Sequence, residues 1–262
     1  MKLIIAGATG FVATEVVRQS LCDPRITSVV ALSRKPMAPP KDLGPEGDVS
    51  KFHNVIIDDY ETYSDEAKAA FAGADACIWT VSINPNKVGR TPMSEVTRVC
   101  HTCAVAGLEA MYAAPRSSPG NTFRFTYMSG VASERDEKKT PKAPWWMREY
   151  CHMRGQAENS VLQFARTHEN VDVQIPKPGA ISTQSQSYLK TAGFWLMGLV
   201  IGLPQVRVED CAAAILEEVV GGYGKDTLEN EDLVRIGGLR EKGKEGKEGR
   251  EGKGQKEKDG KA

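Results

Sequence analysis

The segment Gly7-Ala8-Thr9-Gly10-Phe11-Val12-Ala13 follows directly on the apolar run Leu3-Ile4-Ile5-Ala6. A strand that feeds a helix through glycines can hold the phosphates of a dinucleotide. Gly7 permits the tight turn, Gly10 lets the backbone approach a pyrophosphate, and Ala13 is small enough for the helix to pack on the strand. Backbone amides near the helix start, at Thr9, Phe11 and Val12, then form an anion site without any charged side chain. The plainer alternative is a turn that serves structure alone.

Four further clusters extend this chemistry. About twenty residues beyond the glycines, a protein that selects NAD places an Asp or Glu against the ribose 2′-hydroxyl. This chain carries Ser33-Arg34-Lys35 in that region. Arg34 can clamp a 2′-phosphate bidentately and Ser33 can add a donor, which points to NADP(H); a solvated loop is the alternative. After the third apolar run come Asp58 and Asp59, either of which can accept from an adenine amino group, with helix capping as the competing role. Thr80 and Val81, after the fourth run, are placed to pass under the ribose and nicotinamide of such a ligand. Far along the chain, Tyr150 and Arg154 stand four apart and project from one face of a helix. Cys100-His101-Thr102-Cys103 has metal-ligand residue types, but it lies in a helical pattern and no second cysteine pair follows at zinc-site spacing, so no metal site is expected.

The elements that must position these groups alternate regularly. Apolar runs at Lys2 to Ala6, Thr27 to Leu32, Val55 to Ile57, Ala76 to Val81, Phe123 to Met128 and Val171 to Ile175 read as strands. Helical patterns at Phe11 to Cys22, Asp65 to Phe71, Ser94 to Met111 and Tyr150 to Thr167 separate them. Strands alternating with helices predict an α/β fold, a doubly wound parallel sheet of Rossmann type with helices on both faces. Ligands of such sheets bind outside the carboxyl ends of the strands, which is where the glycine turn and the clusters at 33–35, 58–59 and 80–81 fall.

Composition sets the remaining bounds. The 262 residues carry 34 basic and 34 acidic side chains, so nothing marks the chain as a nucleic-acid binder. Residues 240–262 hold nine Lys/Arg and six Asp/Glu, a net of +3, which leaves −3 on the rest. This Gly-Lys-Glu segment has too little apolar surface to offset ordering entropy, and 239–262 is expected to be a disordered tail after a folded body of 1–238. The longest apolar run, Ala192 to Leu203, is interrupted by glycines and too short for stable membrane insertion. A strand beginning at Lys2 leaves no room for a cleavable leader, and six cysteines within regular segments fit reduced thiols, so a cytoplasmic setting is expected.

Taken together, Gly7-x2-Gly10-x2-Ala13, the cations at Arg34, Ala72-Gly73-Ala74-Asp75-Ala76, Tyr127-Met128-Ser129-Gly130, Tyr150-x3-Arg154-Gly155-Gln156-Ala157-Glu158, Pro176-Lys177-Pro178-Gly179-Ala180 and Val208-Glu209-Asp210-Cys211-Ala212 give a pattern that resembles the atypical or extended short-chain dehydrogenase/reductase superfamily. NmrA-like NADPH-binding members are similar in flavour. The resemblance covers residues 1 to 238. It implies Tyr150 as general acid/base, Ser129 (or, second, Ser133) as the hydroxyl that orients a substrate carbonyl, and Pro178 to Ala180 against the nicotinamide amide. It also implies a lysine four residues after the tyrosine, to hold the nicotinamide ribose and lower the tyrosine pKa; this chain has Arg154 there. Arginine keeps the charge and the donors but does not readily release a proton. The resemblance thus implies hydride transfer with NADP(H) on a carbonyl, alcohol or activated double bond of a small substrate. Segments 83–92, 141–146 and 183–204 would roof the pocket, and Trp145, Trp146, Phe194 and Trp195 suggest that the substrate is apolar. A non-catalytic redox sensor and a non-redox isomerase or lyase are the alternatives on the same fold.

Overall fold

In a computed structural model, residues 1–118, 120–182 and 203–239 are described. Seven parallel strands form one sheet in the order β3-β2-β1-β4-β5-β6-β9. They are β1 (Lys2–Ala6), β2 (Ser28–Ser33), β3 (Phe52–Ile56), β4 (Ala76–Trp79), β5 (Phe123–Tyr127), β6 (Val171–Lys177) and β9 (Thr227–Glu229). The order reverses between β1 and β4, which opens a crevice at their carboxyl ends. Alternation along β1 feeds two cores. Ile4 faces a layer with Phe71, Leu108 and Val161, while Leu3 and Ile5 face one with Val16, Val17 and Ile215. The first layer is covered by α2 (Asp65–Phe71), α5 (Cys103–Tyr112) and α6 (Arg148–Thr167). The second is covered by α1 (Phe11–Leu21) and α7 (Val208–Gly221), which lie side by side. Both faces of the sheet are thus buried, as a parallel sheet requires.

Several boundaries differ from the sequence reading. β2 runs on through Ser33, so that residue belongs to the strand and is fully buried. β3 starts earlier, at Phe52, because its register against β2 begins at Val29. β4 stops at Trp79, and the Thr80 N–H makes one further bond across to β1, to the Ala6 carbonyl at 3.0 Å. The helix expected over Ser94 to Met111 is α4 (Met93–Thr97) and α5 joined by a π-helical turn, Arg98–Thr102. β6 extends to Lys177, beyond the alternation that marks it in sequence. Elements with no counterpart in the reading include β9, a helix over 230–239, the short helix α3 (Pro85–Val88), and a small parallel pair formed by β7 (Ala180–Ser182) and β8 (Gln205–Arg207). The helix over 230–239 reaches Leu239, the last of the described residues. Residues 240–262, the apolar run to residue 202, Phe194 and Trp195 lie outside the described residues.

Candidate active-site cleft

At the crevice, β1 passes into α1 through Gly7, which sits at φ +79°. A Cβ there would stand 2.8 Å from the Thr80 hydroxyl, so only glycine fits both the conformation and the space. The Gly7 and Ala8 amides are bound to the Leu32 carbonyl, each at 3.1 Å, and are not free for an anion. The Tyr60 hydroxyl adds to this turn: it accepts from Gly7 N–H and donates to the Leu32 carbonyl, both at 3.2 Å. Burial pushes its phenol up to about 12. The free donors come next. Gly10 caps α1 without a side-chain hydrogen bond, and the first intrahelical bond is made by Thr14 N–H to the Gly10 carbonyl. The first-turn amides of Phe11, Val12 and Ala13 therefore have no helical acceptor and open toward the crevice.

A cleft of about 900 Å³ begins at Gly10, Phe11 and Val12 and runs across the carboxyl ends of β4, β5 and β6. Its walls include Thr80, Ser129, Ser133, Tyr150, Arg154 and the Pro178–Ala180 segment. The structure thus brings together, in one space, residues spread over the whole chain. The candidates near the adenine end (Ser33, Arg34, Asp58 and Asp59), together with Gly7, Thr9 and Val81, do not line it. Ser33 has turned inward, donating to the Lys35 carbonyl at 2.7 Å and accepting from Asn54 at 2.9 Å, so it has no proton to give a phosphate. Arg34 and Lys35 remain as exposed cations beside it. Asp59 pairs with Arg98 at 2.9 Å and accepts from Glu61 N–H, whereas Asp58 is exposed. The Thr80 hydroxyl donates to the Ala6 carbonyl at 2.8 Å, a structural bond within the turn. Ala180 N–H is taken by the Pro204 carbonyl at 2.9 Å, which leaves that strip of wall mainly apolar. Cys100 accepts from Ile83 N–H while Cys103 faces Asp59, so the two sulfurs serve different neighbours.

The floor is set by α6. Tyr150 and Arg154 are one turn apart, and the Tyr150 hydroxyl donates to the Ile83 carbonyl at 3.3 Å. Burial raises the Tyr150 phenol above the ordinary tyrosine value, and the Arg154 charge opposes this without reversing it. Arg154 is itself only 3% exposed. It donates to the Met128 carbonyl, and its guanidinium lies 4.9 Å over the Tyr127 ring. Burial opposes its charge, but Tyr127, Tyr150 and Cys100 more than offset this and hold its pKa above the usual arginine value. Tyr127 in turn donates to the Cys100 carbonyl in the π turn at 2.7 Å, using an acceptor that the wider turn makes accessible. Gly155 lets the loop after β5 touch the helix: a Cβ there would fall 1.8 Å from the Glu134 carbonyl oxygen. That contact draws Ser133 and Arg135 toward Glu158. Sequence motifs contain Glu158 and Lys177 but assign them no role, and Tyr60 and Arg135 carry no signal short of the fold. With an uncapped helix start, a glycine-only turn and a long cleft ending at a phenol, the residues present fit a dinucleotide.

No protein-family model matches the chain. A curated relative, the leucinostatins biosynthesis cluster protein T of Purpureocillium lilacinum, is 31% identical over 129 residues. That match spans 49% of this chain and 42% of the relative. Among solved structures, the dTDP-glucose 4,6-dehydratase DesIV of Streptomyces venezuelae, solved with NAD bound, aligns at TM-score 0.62 with 16% identity, covering 90% of this chain and 80% of its own. Vestitone reductase from alfalfa aligns at TM-score 0.61 with 19% identity over 87% of this chain and 76% of its own. A putative NAD-dependent epimerase/dehydratase from Bacillus halodurans aligns at 0.55 with 19% identity, covering 87% and 92%. What these structures share with the chain is the Rossmann-type fold.

Proposed function

We propose that this chain, built on the fold of the atypical and extended short-chain dehydrogenase/reductase superfamily, is an oxidoreductase that binds NADP(H) and acts on a small, largely apolar organic molecule. The observation that carries the reading is the convergence of Tyr150, Arg154 and Ser129 on the cleft that begins at the free first-turn amides of α1. Those amides, chiefly of Phe11 and Val12, would hold the pyrophosphate, with Thr9 beside them on the turn. Arg34 and Lys35 would hold a 2′-phosphate. Asp58, exposed and near the same end, is the better placed of the two carboxylates to meet an adenine amino group, because Asp59 is paired with Arg98. Thr80 and Val81 would form the surface beneath the ribose, and Pro178 to Ala180 the apolar wall beside the nicotinamide. When bound, the nicotinamide supplies or takes the hydride at the reacting carbon.

The protein's own chemistry rests on Tyr150. The phenol is protonated at neutral pH, and burial holds that proton more tightly than in a free tyrosine, so Tyr150 would serve as a proton donor to an oxygen that gains charge. Arg154 fixes the phenol electrostatically from one helical turn away while staying bound to the Met128 carbonyl. The test is consumption of NADPH with a panel of apolar carbonyl compounds. Tyr150→Phe is expected to lower turnover by about 10²–10⁴-fold with little change in cofactor affinity. Full activity in that variant would overturn the assignment.

One observation favours a second reading. Arg154 replaces the expected lysine and is buried with a donor committed to the Met128 carbonyl, and arginine does not relay protons. A sensor that binds NADP(H) without turnover tolerates this. A protein partner whose binding follows the NADP⁺/NADPH ratio, with no NADPH consumed, would establish it.

A further inference from the structure

Glu158 is completely buried, one helical turn beyond Arg154 and on the same face of α6. Its Oε1 takes a short hydrogen bond from the Ser129 hydroxyl. Its Oε2 faces two cations, Arg135 Nε at 2.6 Å and Lys177 Nζ at 3.3 Å. Both cations are anchored elsewhere as well: Arg135 donates to the Thr227 hydroxyl at 2.9 Å, and Lys177 to the Ser133 carbonyl at 2.8 Å. A carboxylate in such a place is ionised only if it is paired, and here it is paired twice on one oxygen. An ionised carboxylate accepts and never donates.

That fixes the direction of every proton in the cluster. Ser129 has one proton and must give it to Glu158. The Ser133 hydroxyl lies 3.0 Å from the Ser129 hydroxyl, and with the Ser129 proton already placed, Ser133 has to be the donor in that bond. Both serine protons therefore run inward, toward Glu158, and both serines are among the residues that line the cleft. With their protons committed, what the two hydroxyls can still offer a ligand is lone pairs.

We propose that Glu158 is a positioning residue that turns the Ser129–Ser133 pair into a hydrogen-bond acceptor, so that the cleft selects a substrate presenting a hydroxyl over the matching carbonyl. This rests on the reading of the cleft as a substrate site and deepens it: the molecule bound in the resting protein is the alcohol. It also departs from the role that the resemblance implies for Ser129, which is donation to a carbonyl.

The test uses the full-length protein without added cofactor and two probes of one skeleton, 1-phenylethanol and acetophenone, titrated by saturation-transfer NMR. NADPH titration is run in parallel. The wild type is expected to bind the alcohol about fivefold more tightly, the scale of one net hydrogen bond. Glu158→Gln keeps the shape but offers an amide donor to Ser129, so the preference should fall to parity or invert. Ser129→Ala removes the acceptor, and with it one hydrogen bond to Glu158, but leaves both ion pairs on Oε2 in place; it should also bring the ratio to about one, and it keeps the proposal testable if Glu158→Gln fails to fold. A wild type that prefers acetophenone, or a ratio unmoved by both substitutions, overturns the proposal and leaves the cofactor reading standing if NADPH still binds. Failure of both probes to bind at all overturns both the proposal and the reading of the cleft as a site for small apolar molecules.

Discussion

The two ends of the cleft are built on opposite principles. At the β1–α1 end, recognition falls to the backbone: free amides, a glycine at φ +79°, and Tyr60 bracing the turn. At the α6 end it falls to side chains held by buried contacts, with Glu158 paired to Arg135 and Lys177 beside two serines, and Arg154 over the Tyr127 ring. The first end needs only a few consecutive residues of the right size. The second needs partners 19 to 44 positions apart to arrive at one point. A backbone site is cheap to specify and generic in what it binds. A site of buried charges depends on each of its members.

This contrast can be broken at three places. The largest effect is expected at Gly155→Ala, where the new Cβ would collide with the backbone of Glu134 rather than with a movable side chain. A loss of about 3 kcal/mol or more is expected, visible as a fall in melting temperature of roughly 6–12 °C. An unchanged Tm would mean that the floor adapts as freely as a surface loop.

Arg34→Ala should act on affinity alone. Loss of a charge-assisted contact of roughly 1.5–3 kcal/mol is expected to cost NADPH at least tenfold in Kd, with NADH binding and Tm little changed. Calorimetry that finds equal losses for both nucleotides would remove Arg34 from the 2′-phosphate site.

The smallest effect is expected at Tyr60→Phe, which deletes the brace at Gly7 and should cost about 1 kcal/mol at neutral pH. Its pH dependence has a definite sign. The folded-state pKa of about 12 lies above the ordinary value of 10.0, so the folded protein holds this proton more tightly. The stability that this supplies is complete below pH 10, and it is lost as pH rises toward 12. Denaturant unfolding should therefore show the wild type losing more stability than Tyr60→Phe over that window; parallel curves would exclude Tyr60 as the titrating group.

Legibility in the sequence follows the same division. The strands and helices that carry the sheet could be read from apolar runs and spacing, because a parallel sheet buried on both faces writes itself as continuous hydrophobic stretches. The Gly7–Ala13 turn could be read because chirality and close approach restrict it to small residues. Ser33 could not be placed, since one residue of strand length decides whether its hydroxyl faces solvent or Asn54. The π turn at Arg98–Thr102 is invisible to a 3.6-residue pattern, and β9 is too short to stand out from its surroundings. Glu158 shows the limit most clearly. A glutamate on a helix usually reads as a solvated charge, and only the tertiary arrival of Arg135 and Lys177 makes it a buried anion.

The contact of Gly155 with Glu134 bears on motion as well as on packing. Backbone meets backbone there, with no rotamer that could change to make room. The loop bearing Ser133 and the helix bearing Tyr150 and Arg154 are therefore coupled, since neither can close on the other without a backbone clash. The short helix α3 (Pro85–Val88) is mostly exposed and buries no side chain completely. Displacing α3 would break fewer contacts than prying the loop from the helix, which makes it the softer of these two parts of the cleft.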